Sequence, residues 1–154
     1  MEKNGSKHLS YAEAWRRIKR AKENGYYFEV VALCESIISD RVLSYVKSIP
    51  SETPVNIHTP FAKIIAKWRK SADGNLPEYG SIDLGQAVDS WRRERNAVIH
   101  SLAKSEPGTP TPAVDSFLLR AQRAAETGAH LAKKVSNWHK SELRKHKARL
   151  RHGK

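Results

Sequence analysis

Three side chains suited to phosphate chemistry lie close together in one stretch of the chain, at positions 95, 96 and 100. Arg95 offers a planar, permanently charged fork that can bind phosphate oxygens. His100 can take up or release a proton near neutral pH, because an imidazole has a pKa of about 6.5. Asn96 can orient either the phosphate or the histidine. Together these residue types suit cleavage of a phosphodiester by general acid–base catalysis.

The hydrophobic pattern of positions 83–104 predicts a helix whose apolar stripe is interrupted by Arg95. The stripe consists of Leu84, Val88, Trp91, Val98 and Leu102, at intervals of four and three. Arg95 occupies the missing position, where a side chain facing other helices is expected. A buried guanidinium without a partner would be very costly, so Arg95 needs a carboxylate, a cleft or both.

The second predicted helix carries the same irregularity with the opposite charge. Its apolar stripe consists of Val31, Ile38, Val42 and Tyr45, and Glu35 occupies the missing position. We predict that Glu35 and Arg95 meet and that the carboxylate holds the arginine fork in place. Asp40, on one flank of this helix, is a second candidate partner.

Asn96 and His100 lie beside the apolar stripe rather than on it. His100 follows Arg95 by five residues, about 140° round the helix and about 7.5 Å along it. Asn96 and His100 are neighbours at i and i+4, and Asp89 and Arg93 continue this polar flank. We therefore expect Arg95 to point inward, with Asn96 and His100 at an edge that could line a groove or a dimer interface.

Glycine and proline punctuation predicts five helices and no sheet. Helix starts are expected at Ser10 and at the Thr-Pro pairs 59–60 and 111–112, and helix ends at Gly25 and Gly74. The predicted helices cover about 10–24, 27–48, 60–73, 83–104 and 112–140. The last helix has a seam of mostly small residues, Val114, Leu118, Ala121, Ala125, Gly128, Ala132 and Val135. The expected fold class is all-α, a single-domain bundle of four to five helices with a long C-terminal helix.

The charge is strongly positive and concentrated at the C-terminus. The 154 residues carry a formal net charge of +12, which favours a polyanionic partner. We divide the chain into a helical bundle at 1–138 and a basic extension of the last helix at 139–154, where Glu142 is the one acidic residue. A solvated helix end is the alternative interpretation of this extension. The candidate nucleic-acid-binding residues are Arg92, Arg93, Lys140, Arg144, Lys145, Lys147, Arg149 and Arg151.

Several classes of protein are disfavoured. Cys34 is the single cysteine, which excludes an intramolecular disulfide and a cysteine metal cluster. The sequence has no apolar stretch long enough for a bilayer and no apolar segment typical of an export signal, so we expect a cytoplasmic protein without membrane partners. Phosphate-binding glycine loops and zinc motifs are also missing. No cofactor or metal is expected, and His139, His146 and His152 are interpreted as part of the basic extension.

At Arg95-Asn96-Ala97-Val98-Ile99-His100 the sequence resembles the R-x4-6-H motif of the HEPN superfamily, with a polar residue after the arginine. The resemblance covers about residues 11–138. It implies a metal-independent endoribonuclease of toxin–antitoxin or antiviral defence systems, usually a homodimer whose two motifs share one cleft. An antitoxin or a protein of a defence complex is then a further candidate partner. Some members carry a modified tyrosine two residues after the histidine, where this chain has Leu102.

The resemblance gives roles to the residues and leaves alternatives. Arg95, Asn96 and His100 would be catalytic, with Glu35, Asp40 and Arg93 in support, cutting RNA through its 2′-hydroxyl to a 2′,3′-cyclic phosphate. Arg93 to His100 is a second match at the same place, and Arg123 to His130 is a third, treated as coincidence because Ala124 follows the arginine. The main alternative is a non-catalytic HEPN-like module for dimerisation or RNA binding. A basic DNA-binding protein is a weaker one, without a recognisable helix-turn-helix.

Overall fold

The computed structural model describes residues 2–103 and 114–153, which form five helices and one small hairpin. The helices are α1 (Glu2–Glu23), α2 (Tyr27–Lys47), α3 (Phe61–Ser71), α4 (Leu84–Ala103) and α5 (Val114–His152). The strands are β1 (Glu78–Tyr79) and β2 (Ile82–Asp83). The predicted fold class, an all-α bundle of four to five helices with a long C-terminal helix, is confirmed.

The end of α1 follows the sequence signal, whereas its beginning does not. Gly25 has φ 73°, and the N–H of Tyr26 donates to the carbonyl of Ala21 at 2.8 Å, which is the hydrogen bond of a glycine-terminated helix. The helix begins at Glu2 rather than at Ser10. No proline precedes Ser10, and adding turns to a nucleated helix requires little free energy.

The starts of α3 and α4 differ in how they are capped. The expected cap at Thr59 is wrong, because its hydroxyl accepts the N–H of Asn56 at 3.0 Å and the N-cap position is Pro60. At the start of α4 the carboxylate of Asp83 accepts the N–H of Gln86 at 2.8 Å, an ordinary N-cap contact. The turn predicted at 105–111 and the Thr-Pro start at 111–112 lie outside the described residues.

The prediction of a chain without strands is wrong at one point. β1 and β2 pair antiparallel, with Glu78 opposite Asp83 and Tyr79 opposite Ile82. Gly80 begins the two-residue turn with φ 66°, a conformation that glycine adopts without strain. Two residues per strand are too few for the alternating pattern that predicts strands from sequence, so the segment resembles a loop.

The chain divides into two compact units, and the divisions fall inside α2, α4 and α5. The first unit comprises residues 1–37 and 90–130. Its buried apolar residues include Ile18, Val30, Val31, Cys34, Trp91, Val98, Phe117 and Ala125. Phe28 stacks on Phe117 with 5.5 Å between the ring centroids. All three predicted catalytic residues belong to this unit.

The second unit comprises residues 38–89 and 131–154. Trp138 lies at its centre, edge-on to Trp68 at 5.5 Å and to Tyr45 at 4.7 Å. Its indole N–H donates to the carbonyl of Asn75 at 3.1 Å. Ile64, Ile65, Leu84, Leu131 and Val135 are also buried. The aromatic cluster ties α2, α3 and α5 together within this unit.

The predicted seam of α5 is correct from Ala121 onward and wrong before it. Ala121, Ala125, Ala132 and Val135 are at most 1% exposed, whereas Val114 and Leu118 are 69% and 48% exposed. Within the first turns Phe117 is the buried residue instead. The helix continues without interruption past the predicted division at 139. His139 is 5% exposed, so it belongs to the packed face and not, as predicted, to a solvated extension.

Candidate functional site

The predicted contact between Arg95 and Glu35 is confirmed. The Nη2 atom of Arg95 donates to Oε1 of Glu35 at 2.7 Å, which joins α4 to α2 within the first unit. The arginine side chain is 16% exposed and the glutamate side chain 28%. The contact is therefore a charge-assisted hydrogen bond in a largely desolvated position.

The two apolar stripes explain why the pair forms where it does. Val88, Trp91 and Val98 are at most 3% exposed, and Arg95 lies between them on the same face of α4. On α2 the residues before and after Glu35 in the stripe, Val31 and Ile38, are buried as well. Since each charged group interrupts an otherwise buried face, each is held where the other can neutralise it.

The surroundings act on Glu35 in two opposing directions. Burial raises the pKa of its carboxyl, and the charge of Arg95 lowers it, with burial the larger effect. The net pKa is above the ordinary value of 4.5. The carboxylate thus pays a desolvation penalty that its partner does not fully offset.

The guanidinium of Arg95 is only partly used by Glu35. Its Nε atom is buried and has no hydrogen-bond partner among residues 2–103 and 114–153. A guanidinium has five N–H donors, and the carboxylate accepts from one nitrogen. The buried Nε–H is thus a donor that Glu35 does not use.

Tryptophan 91 fixes α4 against α5 one turn before Arg95. Its indole N–H donates to the carbonyl of Ala124 at 2.9 Å. A Cβ atom added to Gly128 would lie 2.7 Å from the Trp91 ring, so only glycine leaves room for the ring at that position. The sequence indicated a small residue at 128 but not which side chain approaches it.

Asn96 and His100 occupy a more exposed edge of α4, as the helical spacing predicts. Asn96 is half-buried, and His100 is exposed in the last turn of the helix. The imidazole is therefore accessible to a large substrate. The structure brings Arg95 and Glu35 into contact and leaves His100 further along the same helix, about 7.5 Å away measured along the axis.

The supporting residues are distributed over both units. Arg92 is half-buried and Arg93 is exposed, both on α4 beside Arg95. Next to them Glu94 pairs with Arg120 of α5 at 3.2 Å. Asp40 is half-buried. The observed partner of Arg95 is Glu35, and a supporting role for Asp40 stays a prediction.

The basic residues predicted to bind RNA at the C-terminus are exposed on α5. These are Lys140, Arg144, Lys145, Lys147, Arg149 and Arg151. Two of them interact with other residues of the second unit. Lys145 forms an ion pair with Glu142 at 3.1 Å, and the charge of Arg149 acts on Tyr45. The pKa of Tyr45 is raised, mainly by burial and to a smaller extent by the negative charge of Glu142, whereas the positive charge of Arg149 lowers it.

Metal-binding groups and membrane-spanning helices were considered for the described residues only. In residues 2–103 and 114–153 no group of three or more histidine, cysteine or acidic side chains is placed to hold a metal ion. Over the same residues, no helix is both long enough and apolar enough to cross a membrane. The third motif match, Arg123 and His130, lies on the exposed face of α5.

Comparison with protein-family models, curated proteins and solved structures found no significant match to this chain. Its function must therefore be argued from its own residues. The strongest of these is the Arg95–Glu35 pair, since it combines a short contact with a charged group on each of two buried faces.

Proposed function

We propose that this protein is a metal-independent endoribonuclease of the HEPN type, acting as a toxin or an antiviral-defence effector. The observation that carries the proposal is the position of Arg95, fixed on the inner face of α4 by Glu35 at 2.7 Å. Five residues further along, α4 presents an exposed histidine, His100. The net charge of +12 supports an RNA substrate, because it attracts a polyanion.

The proposed reaction uses the nucleophile that RNA already carries. The 2′-oxygen attacks the adjacent phosphorus, the bond from phosphorus to the 5′-oxygen breaks, and a 2′,3′-cyclic phosphate and a 5′-hydroxyl are formed. One proton leaves the 2′-hydroxyl and another is delivered to the 5′-oxygen. His100 is the group suited to these transfers, and the Arg95 guanidinium stabilises the charge that develops on the non-bridging oxygens. Asn96 orients the phosphate or the imidazole.

A homodimer completes this chemistry in the proposal. The two proton transfers need a base and an acid at the same phosphate, and each chain offers one His100 on α4. Two copies that share one cleft would supply both groups. A dimer by size-exclusion chromatography with light scattering supports this part of the proposal, and a strict monomer contradicts it.

The decisive experiment is cleavage of a 5′-labelled RNA in the presence of EDTA. Wild-type protein is expected to give products ending in a 2′,3′-cyclic phosphate, and His100→Ala and Arg95→Ala are expected to lose at least 100-fold in rate, the usual scale of one acid–base group. His146→Ala removes an equally exposed histidine from α5 and is the matched control. His130→Ala tests the third motif match. Unchanged cleavage by His100→Ala would contradict the proposal.

A second candidate function is a non-catalytic HEPN-like module that dimerises or binds RNA within a defence complex. The observation that favours it is that Arg95 already donates to Glu35 and that its Nε atom is buried, so an incoming phosphate has restricted access. This candidate predicts RNA binding without cleavage and no effect specific to His100→Ala. The same set of variants therefore separates the two functions.

A further inference from the structure

We infer that one face of the C-terminal half of α5 is a docking surface for the phosphate backbone of base-paired RNA. Five basic residues form this face, which we call the cationic stripe: Lys133, Lys140, Arg144, Lys147 and Arg151. All five are exposed, and all belong to the second unit. That the polyanion is RNA rests on the proposed function; the stripe itself follows from the helix.

The spacing of the stripe places its charges in one line. Successive members are seven, four, three and four residues apart. At 100° per residue they fall within a sector of about 60°, and at 1.5 Å per residue they extend over about 27 Å. Asn137, also exposed, lies at the edge of the same sector. A straight array of this length can contact several successive phosphates of a regular duplex.

The acidic group of this segment is directed away from the stripe. Glu142 is the single acidic residue of positions 131–153 and lies about 180° round the helix from Lys133. Its side chain is only 15% exposed, pairs with Lys145 and acts on Tyr45. The stripe therefore carries five positive charges without a carboxylate on its own face of this segment.

The other exposed cations of the segment differ from the stripe in position. Lys134, Lys145 and Arg149 lie about 100° to 160° round the helix from Lys133. Lys145 pairs with Glu142, and Arg149 acts on Tyr45. Lys145 and Arg149 are among the predicted RNA-binding residues, but these interactions within the second unit distinguish them from the stripe. With Lys134 they carry the same total charge as any three members of the stripe, and so these three residues form a matched control on the same helix.

The chemistry of the segment favours paired RNA over a single strand or a membrane. Proteins that bind single strands stack bases mainly on aromatic side chains, but the one phenylalanine, tyrosine or tryptophan of positions 131–153, Trp138, is buried. A helix that lies on a membrane buries a broad apolar face. Here Leu131, Val135 and Trp138 pack inside the unit, and Leu143 and Leu150 are the large apolar residues left exposed between 131 and 153. Duplex RNA, by contrast, is recognised largely through its shape and phosphates.

The test measures binding without cleavage. The probe is a fluorescent RNA hairpin with 2′-O-methyl groups, which lacks the attacking hydroxyl, and affinity is measured by anisotropy between 50 and 200 mM salt. The stripe variant is Lys140→Gln, Arg144→Gln and Lys147→Gln. The control variant is Lys134→Gln, Lys145→Gln and Arg149→Gln. Circular dichroism checks that both variants keep the helical content of wild type.

The expected result is a selective loss of salt dependence. Each phosphate contact contributes about 0.7 to 0.9 to the slope of log affinity against log salt. The stripe variant removes three such contacts, so its slope should be smaller in magnitude than that of wild type by about 2.5. Over a fourfold change in salt, wild type then loses about 30-fold more affinity than the stripe variant does. The control variant should lose less than about 1 of the slope.

Three results would overturn the inference. In the first, the stripe variant and the control variant reduce the salt slope equally. In the second, wild type binds a single-stranded 2′-O-methyl RNA as tightly as it binds the hairpin. In the third, wild type binds vesicles containing phosphatidylserine more tightly than it binds the hairpin, and this binding requires the stripe. If wild type cleaves RNA but the stripe variant binds the hairpin as tightly as wild type does, the inference is overturned and the proposed function is not. Stripe-dependent hairpin binding by a protein that never cleaves RNA would support the inference and contradict the proposed catalytic function.

Discussion

Replacing both members of the Arg95–Glu35 pair by apolar residues should restore stability that either single replacement removes. Glu35→Leu leaves the Arg95 guanidinium, 16% exposed, without its carboxylate. Arg95→Met leaves the Glu35 carboxyl without its cation. The double variant completes both apolar stripes, because Leu and Met then lie where each helix otherwise presents buried apolar side chains.

The expected magnitudes follow from the burial of the pair. Breaking a fully buried pair by removing one partner costs about 3–5 kcal/mol. Since both side chains keep some contact with solvent, we expect about 2 kcal/mol for Glu35→Leu. Arg95→Met should cost about 1 kcal/mol, because a Glu35 carboxyl with a raised pKa can become neutral more readily. The double variant should lie within about 1 kcal/mol of wild type.

The assay is equilibrium urea unfolding of wild type and the three variants, followed by circular dichroism. The coupling free energy of the cycle should be about 2–3 kcal/mol. Additive losses, with the double variant equal to the sum of the singles within about 0.5 kcal/mol, would refute the reasoning. RNA cleavage is measured on the same samples, and a stable double variant that no longer cleaves would show that the pair serves function more than stability.

Three further predictions concern Glu35, Cys34 and Gly128. The pKa of Glu35 in the folded protein is above 4.5, so the native state takes up this proton at a higher pH than the unfolded state does. The free energy of unfolding of wild type, relative to that of Glu35→Gln, should therefore rise as the pH falls toward 4.5. A difference in urea midpoint between the two proteins that does not change with pH would contradict this. Burial raises the pKa of Cys34 to about 12, so iodoacetamide at pH 8 should label it only as fast as the protein unfolds, and rapid labelling of folded protein would contradict the burial. Gly128→Ala should cost about 1 kcal/mol through its 2.7 Å clash with Trp91, while Gly5→Ala, with nothing within 4 Å, should not destabilise; equal urea midpoints for the two variants would show that the ring moves aside.

The long-range contact at the site could be predicted because it depends on two interruptions of a simple pattern. Glu35 and Arg95 are 60 residues apart, yet each occupies a position where the 3.6-residue period requires an apolar side chain. Opposite charges on two inward faces have few ways to be neutralised other than by meeting. The same period also placed Asn96 and His100 beside the stripe.

Other features could not be predicted, because they depend on the neighbour that each residue meets. His139 looked like part of a charged tail, since the residues after it are basic, but α5 packs its face into the second unit. Thr59 has the sequence of a helix cap, but its hydroxyl is occupied by the Asn56 N–H. Lys133 is exposed and its spacing to Lys140 follows the helical period, but the charge pattern alone does not single it out, because it lies before the dense cluster of basic residues.

The Arg95–Glu35 pair is an interaction that is poorly suited to stability alone. Burial raises the pKa of Glu35 despite the cation 2.7 Å away, so the charge of Arg95 does not fully offset the desolvation of this carboxylate. Two apolar side chains at these positions would pack without that penalty. What the charged pair provides instead is an arginine held by Glu35 at 2.7 Å, on the helix that also presents His100. Cleavage of a phosphodiester needs a fixed positive charge and a group that transfers protons, which is why we propose that the active site lies on α4.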